Sequence, residues 1–422
     1  MLNQEPSNTI ISTCWRKRET EPQRVPQLTH LSHFENMKSS DPCKHDFGSQ
    51  FETKVLEDWS TIETLKTEWN DLLVNSRSDT IFMTWEWINA WAVVNQNSVK
   101  PVVIVVRNRL GELIAIAPFY QTHYRLLKLI PYRILRIMGD YPTGAEYPGW
   151  IVHRDHEIEG TENIVHALTN MRQRWDCMWI PNIAKWNGFN EVIIQACRKA
   201  KYHIHIRPVS FSYFNLPNTI DQYITGLSKK KRLEIHYQHN RIMQREGVVT
   251  DSCKSPDELP IYLDALFKLH QSRWKLKGDD GTFLRKPDEA KFYKKFLPLG
   301  LQKGWLRFFA LKEKDKFKAV QIGYVYNNIF HSIQEGFDPE YQKGVGNVLR
   351  FEVIKHCISE GVAGYDFLGG MTEHKRRWSA KEREGCDLFV GHSITKNRLL
   401  FSIGFWPTGT YLEQVLIGCG CT

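Results

Sequence analysis

Twice along this 422-residue chain the hydrophobic period changes in the same order. Helical spacing comes first, then two alternating runs joined by a tight turn, then strand, helix, strand. In the first pass Phe51–Leu56 alternates as a strand, and Ile62, Leu65, Trp69, Leu72 and Leu73 recur at helical spacing behind Ser60 and Glu63, placed as a capping box. A second helix holds Phe82, Trp85, Ile88, Trp91 and Ala92, and a hairpin joins 101–106 to 113–117 through Arg109–Gly111. A strand at 134–138, a helix at 160–174, a strand at 178–181 and a helix at 190–201 follow. The second pass has a short strand at 213–216, helices at 229–246, 259–277 and 290–301, strands at 305–311, 317–326 and 329–337, a helix at 348–360, and strands at 364–368 and 387–393. Such an order demands an α/β fold with a mixed sheet, repeated. The expected units are 51–208 and 209–398, between a disordered leader at 1–50, marked by Pro6, Pro22, Pro26 and Pro42, and a tail at 399–422.

Composition narrows the setting. Lysine plus arginine is 56 against 47 acidic residues, a net charge of +9 that concentrates in the helix from Lys229 to Glu246. That helix reads first as a solvated face. Contact with RNA, an anionic membrane surface or an anionic substrate are its other readings, so nucleic acid is a disfavoured partner and peripheral membrane association is left open. No apolar run reaches the length of a spanning helix, and no secretory signal opens the chain, so a cytosolic protein is expected. The nine cysteines show neither CxxC pairs nor zinc-like spacing, and no metal is expected; the terminal pair Cys419 and Cys421 is weak evidence for one.

The segment Ile333-Gln-Glu-Gly-Phe-Asp-Pro-Glu-Tyr-Gln-Lys-Gly-Val-Gly-Asn-Val-Leu349 runs a strand into a loop with two glycines and then into a helix. Glycines at Gly344 and Gly346 let backbone N–H groups approach an anion at a helix N-terminus, where a pyrophosphate fits; an ordinary strand-to-helix turn uses the same residues. The arrangement resembles the cofactor loop of GNAT-superfamily acyltransferases, Gln/Arg-x-x-Gly-x-Gly/Ala. Here Tyr341 stands where glutamine or arginine is usual, and Gln342 falls one place late. Further stretches, Glu68–Leu73, Phe82–Trp91, Ile116–Tyr120, Leu269–Trp274, Tyr365–Gly370 and His374–Trp378, are similar in their order to the CelD/FemAB-like acyltransferases. The resemblance implies two tandem GNAT-like domains and an acyl-CoA co-substrate held by Gln342, Lys343, Gly344, Val345, Gly346 and Asn347. It also implies an N- or O-acyl acceptor from cell-envelope or exopolysaccharide metabolism. An aminoacyl-tRNA-dependent transferase of Fem type and a non-catalytic glycan-binding or regulatory scaffold are the alternatives.

Acyl transfer needs an N–H for the developing oxyanion and a base for the acceptor. Strict alternation along 329–337 puts His331 and Glu335 on one face as candidate bases, and a glutamate in an apolar setting there has a raised pKa. Each is equally well a satisfied histidine or a surface carboxylate. Asp366 lies in the apolar strand Tyr365–Leu368, where an unpaired carboxylate is costly, so it orients a substrate amine or pairs with Lys375, Arg376 or Arg377. Those three basic residues suit a phosphate, or form a solvated turn. Arg273 and Trp274 are expected to wall the cleft, with core packing the other reading of Trp274. Trp85 and Asp140, with Trp87 and the stretch Glu146-Tyr147, line a groove in the first unit or serve as core.

Overall fold

A computed structural model describes residues 50–126, 130–276 and 278–391. The expected leader, save its last residue Gln50, and the tail with Cys419 and Cys421 lie outside those residues. Among the described residues the strands are β1 (Phe51–Leu56), β2 (Lys100–Asn108), β3 (Leu113–Leu126), β4 (Ile130–Ile137), β5 (Ile151–Val152), β6 (Cys177–Ala184), β7 (His203–Asn215), β8 (Val248–Ser252), β9 (Leu306–Glu313), β10 (Lys316–Tyr326), β11 (Ile329–Phe337), β12 (Gly364–Gly369) and β13 (Lys381–Gly391). They form one mixed sheet in the order β1-β2-β3-β4-β6-β13-β7-β12-β11-β10-β9-β8, with β5 paired to β3. The principal helices are α1 (Lys66–Val74), α2 (Trp85–Asn95), α3 (Glu157–Asn170), α4 (Phe189–Lys199), α5 (Lys229–Met243), α6 (Leu259–Lys275), α7 (Pro287–Gln302) and α8 (Val345–Ser359). None of them is long and apolar enough to cross a membrane.

The order is close to palindromic. Each half has an antiparallel run, β1 to β4 or β8 to β11, closed by one parallel pairing, β4 with β6 or β11 with β12. The two central strands are exchanged. β13, from the end of the described chain, lies beside β6 of the first half, while β7 lies beside β12 of the second. They pair antiparallel with each other from Lys381↔Tyr213 to Gly391↔His203. A boundary at residue 208 falls inside β7. The expected first helix is split: a short helical turn, Trp59–Glu63, precedes α1, and Asp58, not Ser60, caps it, its carboxylate accepting the Thr61 N–H at 2.9 Å.

Both faces of the sheet are covered. One apolar core fills the first half and continues under α6 and α7 of the second, through Trp87, Phe292, Phe296 and Tyr324. A second core lies on the opposite face, where α5 and α8 pack Ile235, Ile242, Val348, Leu349 and Ile354 over Phe330, Tyr365 and Trp378.

Candidate active site

The strands β11 and β12 pair over three residues only, Ile329↔Gly364, Phe330↔Tyr365 and His331↔Asp366. Beyond that point they part, and the backbone of β11 is released on one edge. A bulge lies on its other side: Gly323 faces Ser332, but Ile322 faces Gln334, so Ile333 is an extra residue. Because side chains alternate with period two, one inserted residue reverses every position after it. His331 and Glu335, expected on one face, therefore look to opposite sides of the sheet.

On the α8 side Glu335 is clamped between two guanidinium groups. Arg350 of α8 donates through Nη2 to Oε2, and Arg273 of α6 donates through Nη1 to Oε1 at 3.1 Å. Arg350 is buried, its guanidinium 5.4 Å above the Trp378 ring, with His374 Nε2 at 2.7 Å from its Nη1. Burial by itself raises the Glu335 carboxyl, but the charges of Arg350 and Arg273 outweigh it and hold it below the usual range. The expectation of a raised glutamate is corrected: Glu335 is a paired carboxylate. Arg273 spans Glu335 and the Phe337 ring, 5.2 Å away, and the neighbouring Trp274 donates its Nε1–H to His270 Nε2 at 2.9 Å. Arg350 was not singled out in the sequence, although a lone arginine in the run Val348-Leu-Arg-Phe351 was a signal.

The glycine loop turns into α8 at Gly344, which caps the helix with φ of 96°. Gln238 of α5 lies against it and accepts from Asn347 Nδ2 at 3.1 Å, while Arg241 Nη2 donates to Lys343 O at 2.7 Å. Tyr341 is turned away from the loop, its hydroxyl donating to Glu313 at 3.1 Å and its ring flanked by Lys318 and Arg245. A helix start with two glycines and basic neighbours suits a pyrophosphate, provided the Gln238 carboxamide swings aside. A Cβ at Gly344 would lie 2.3 Å from Gln238 Cδ. Gly344→Ala is expected to cost about 1–3 kcal/mol in urea titrations. Gln238→Ala in the same chain is expected to return part of it; no recovery would assign the loss to left-handed strain alone.

The other face holds a second cluster. Tyr147 OH donates to Asp366 Oδ2 at 2.8 Å, and the Leu368 N–H donates to Oδ1 at 2.7 Å. His331 Nδ1 is 3.6 Å from Asp366 Oδ2. Glu146 is half-buried with Oε2 out of contact with solvent and without a hydrogen-bond partner. Burial first, and then the negative charge of Asp366, push its carboxyl up to about 8, against the Gly369 N–H and Lys375. Lys375 Nζ is anchored by the carbonyl oxygens of Phe367, Gly369 and Gly370 at 2.9, 2.6 and 2.8 Å. Its direct bonds therefore go to the backbone, and Asp366 bonds to Tyr147 and Leu368 instead. Arg377 pairs with Glu234, and Arg376 is an exposed side chain 3.8 Å from Glu382.

Two groove residues are corrected. Trp85 is buried edge-on against Trp69, with ring centroids 5.6 Å apart. Asp140 is locked by Arg136 Nε at 2.9 Å and the Tyr120 hydroxyl at 2.8 Å. The basic helix is likewise not uniformly solvated. Lys229 and Lys230 are exposed, but Lys231 turns inward over the Trp378 ring at 4.1 Å, and burial pulls its ammonium down to about 8.

Residues 229–376 match the sequence model of a family described as "Acetyltransferase (GNAT) domain". No curated protein matches the chain by sequence. Among solved structures, that of FemX is similar at 10% identity and a TM-score of 0.57, covering 83% of this chain and 99% of that one. The structure of L-PGS from Bacillus licheniformis has a TM-score of 0.47 at 10% identity (83% and 97% covered). A tandem GNAT protein from the clavulanic acid biosynthesis pathway has 0.44 at 11% (81% and 98%). The chain has a mixed α/β, tandem GNAT-like fold, and residues 229–376 of its second half are similar to a GNAT domain.

Proposed function

We propose that this protein transfers an acyl group from a coenzyme A thioester to an amine or hydroxyl of a cell-envelope or exopolysaccharide precursor. The observation that carries the reading is the parting of β11 from β12 beside the Gly344 loop, within the segment that matches the GNAT family. Gln342 to Asn347 would hold the pyrophosphate, with exposed Arg376 adding charge at the rim. The released edge of β11 supplies backbone N–H groups for the oxyanion. Glu335, through Arg273 and Arg350, fixes the strand to α6 and α8. The acceptor class rests on the sequence resemblance to the CelD/FemAB-like enzymes.

Calorimetric titration with acetyl-CoA tests the reading. The wild-type chain is expected to bind, and folded Gly346→Asp, which places a carboxylate in the pyrophosphate loop, is expected not to. Absence of binding to the wild type at millimolar concentration would sink the proposal. An aminoacyl-tRNA donor is a second reading, favoured by the FemX-like fold and by Lys229 and Lys230 exposed at the start of α5. Transfer abolished by ribonuclease and indifferent to coenzyme A thioester would establish it instead.

A further inference from the structure

By the symmetry of the sheet, the loop after β4 corresponds to the glycine loop after β11. In the first half it does not lead directly into a long helix. It crosses instead to the second half: a Cβ on Gly144 would sit 4.0 Å from Ile333, and Tyr147 bonds Asp366. Glu146 is set against Gly369, where a Cβ would lie 2.7 Å from Glu146 Oε1. Tyr147 and Leu368 both hold φ of 60°, in the left-handed region that side chains avoid unless their surroundings impose it. His331, 6% exposed, closes the cluster, and its Nδ1 has no hydrogen-bond partner. Two polar atoms, His331 Nδ1 and Glu146 Oε2, thus remain unsatisfied beside the point where β11 and β12 part.

We propose that Glu146, delivered by the first half, takes the proton from the acceptor at this opening, with Asp366 and Tyr147 as positioning residues. The proposal rests on the acyl-transfer reading. As the acceptor nitrogen or oxygen forms its bond to the acyl carbon, its proton passes to the Glu146 carboxylate; the carbon–sulfur bond breaks, and the proton leaves on the thiol. The groups facing Glu146 are Tyr147 on its own loop, Asp366 on β12, Lys375 beyond it, and Asp387 on β13; His331 on β11 and Arg383 on β13 complete the surroundings through Asp366 and Tyr147. Asp387 is committed to Arg207, and Lys375 to carbonyl oxygens, so the unbalanced influence is the carboxylate of Asp366. Only the ionised form accepts a proton, so turnover rises with pH through about 8.

The test compares wild type, Glu146→Gln and Asp366→Asn by acetyl-CoA affinity, turnover against pH, and melting temperature against pH. Glu146→Gln is expected to lose about 100-fold or more in turnover at unchanged acetyl-CoA affinity. The wild-type midpoint near 8 should move lower in Asp366→Asn, which removes the like charge. Between about pH 4.5 and about pH 8 the folded chain holds a proton on Glu146 that the unfolded chain releases, so wild-type stability falls as pH rises. Glu146→Gln lacks that loss, and its melting temperature should gain on wild type across the same window. Near-wild-type turnover in Glu146→Gln, or a flat melting-temperature difference, overturns the proposal. If the wild type turns over no thioester, the acyl-transfer reading fails. The melting-temperature difference then decides alone: a widening one keeps Glu146 as a proton-exchanging group, and a flat one removes it.

Discussion

Glu335→Ala is expected to lower the unfolding free energy by about 3–5 kcal/mol, because it removes one partner of a buried ion pair and strands the other. Arg350 is 4% exposed, and its Nε already lacks a hydrogen-bond partner. Without Glu335 its guanidinium keeps only His374 and the ring faces of Trp378 and Phe367. Arg273 suffers less, since about a quarter of its side chain already meets water. Glu335→Gln retains an acceptor and should cost less. The Glu335 carboxyl is held below its ordinary value, so its contribution is present above the unfolded pKa and fades as pH falls through the folded one. Urea titrations at neutral and acid pH check both points: the gap between wild type and Glu335→Gln should shrink in acid. A neutral-pH loss for Glu335→Ala below about 1 kcal/mol would mean that water reaches Arg350 and the clamp is an ordinary surface pair.

Trp87→Ala is expected to cost about 3–5 kcal/mol, the range for emptying a buried aromatic site. The indole is fully buried, with the rings of Phe292 and Phe296 each 4.7 Å away and Phe82 at 5.0 Å. Phe82 and Trp87 come from the first half, Phe292 and Phe296 from α7 of the second, so the cavity would open where the halves are joined. Thermal unfolding monitored by near- and far-ultraviolet circular dichroism is therefore expected to broaden or split, as well as shift. Leu110→Ala, at a site 81% exposed, is the control and should be near neutral. A single undisplaced transition in Trp87→Ala would show that the contact between α2 and α7 carries little of the stability.

Local order was legible from the chain because period, caps and glycines act at short range. The doubled order of helices, hairpin and β-α-β is present, and β10, β11 and α8 fall within a few residues of their expected ends. What was illegible depends on partners distant in sequence. Residues 203–206 and 209–212 do alternate, as His-Ile-His-Ile and Val-Ser-Phe-Ser, but Arg207-Pro208 interrupts the run and only its end was read as a strand; the full strand is held by β13, more than 160 residues later. The bulge at Ile333 is set by register against Gly323, where a Cβ would meet the His331 carbonyl oxygen at 2.5 Å, and it alone separates His331 from Glu335. Asp366 was recognised as a charge in an apolar strand, but its partner Tyr147 lies 219 residues away. Glu146 and Tyr147 were visible as a polar stretch, and the fold moves them from a groove of the first half to the opening in the second.

The exchange of β7 and β13 also sets a timetable. On the ribosome, β6 is complete at Ala184, yet the strand that covers its open edge begins only at Lys381. At roughly 5–20 residues per second, that edge waits on the order of ten to forty seconds. During the interval β7 has no strand linking it to the first half, and the nascent sheet offers unpaired N–H and C=O groups to any neighbouring chain. The halves therefore do not mature one after the other. Both close when β13 arrives, and neighbouring polysomal copies that lend each other this strand are the misassembly such a chain must outrun.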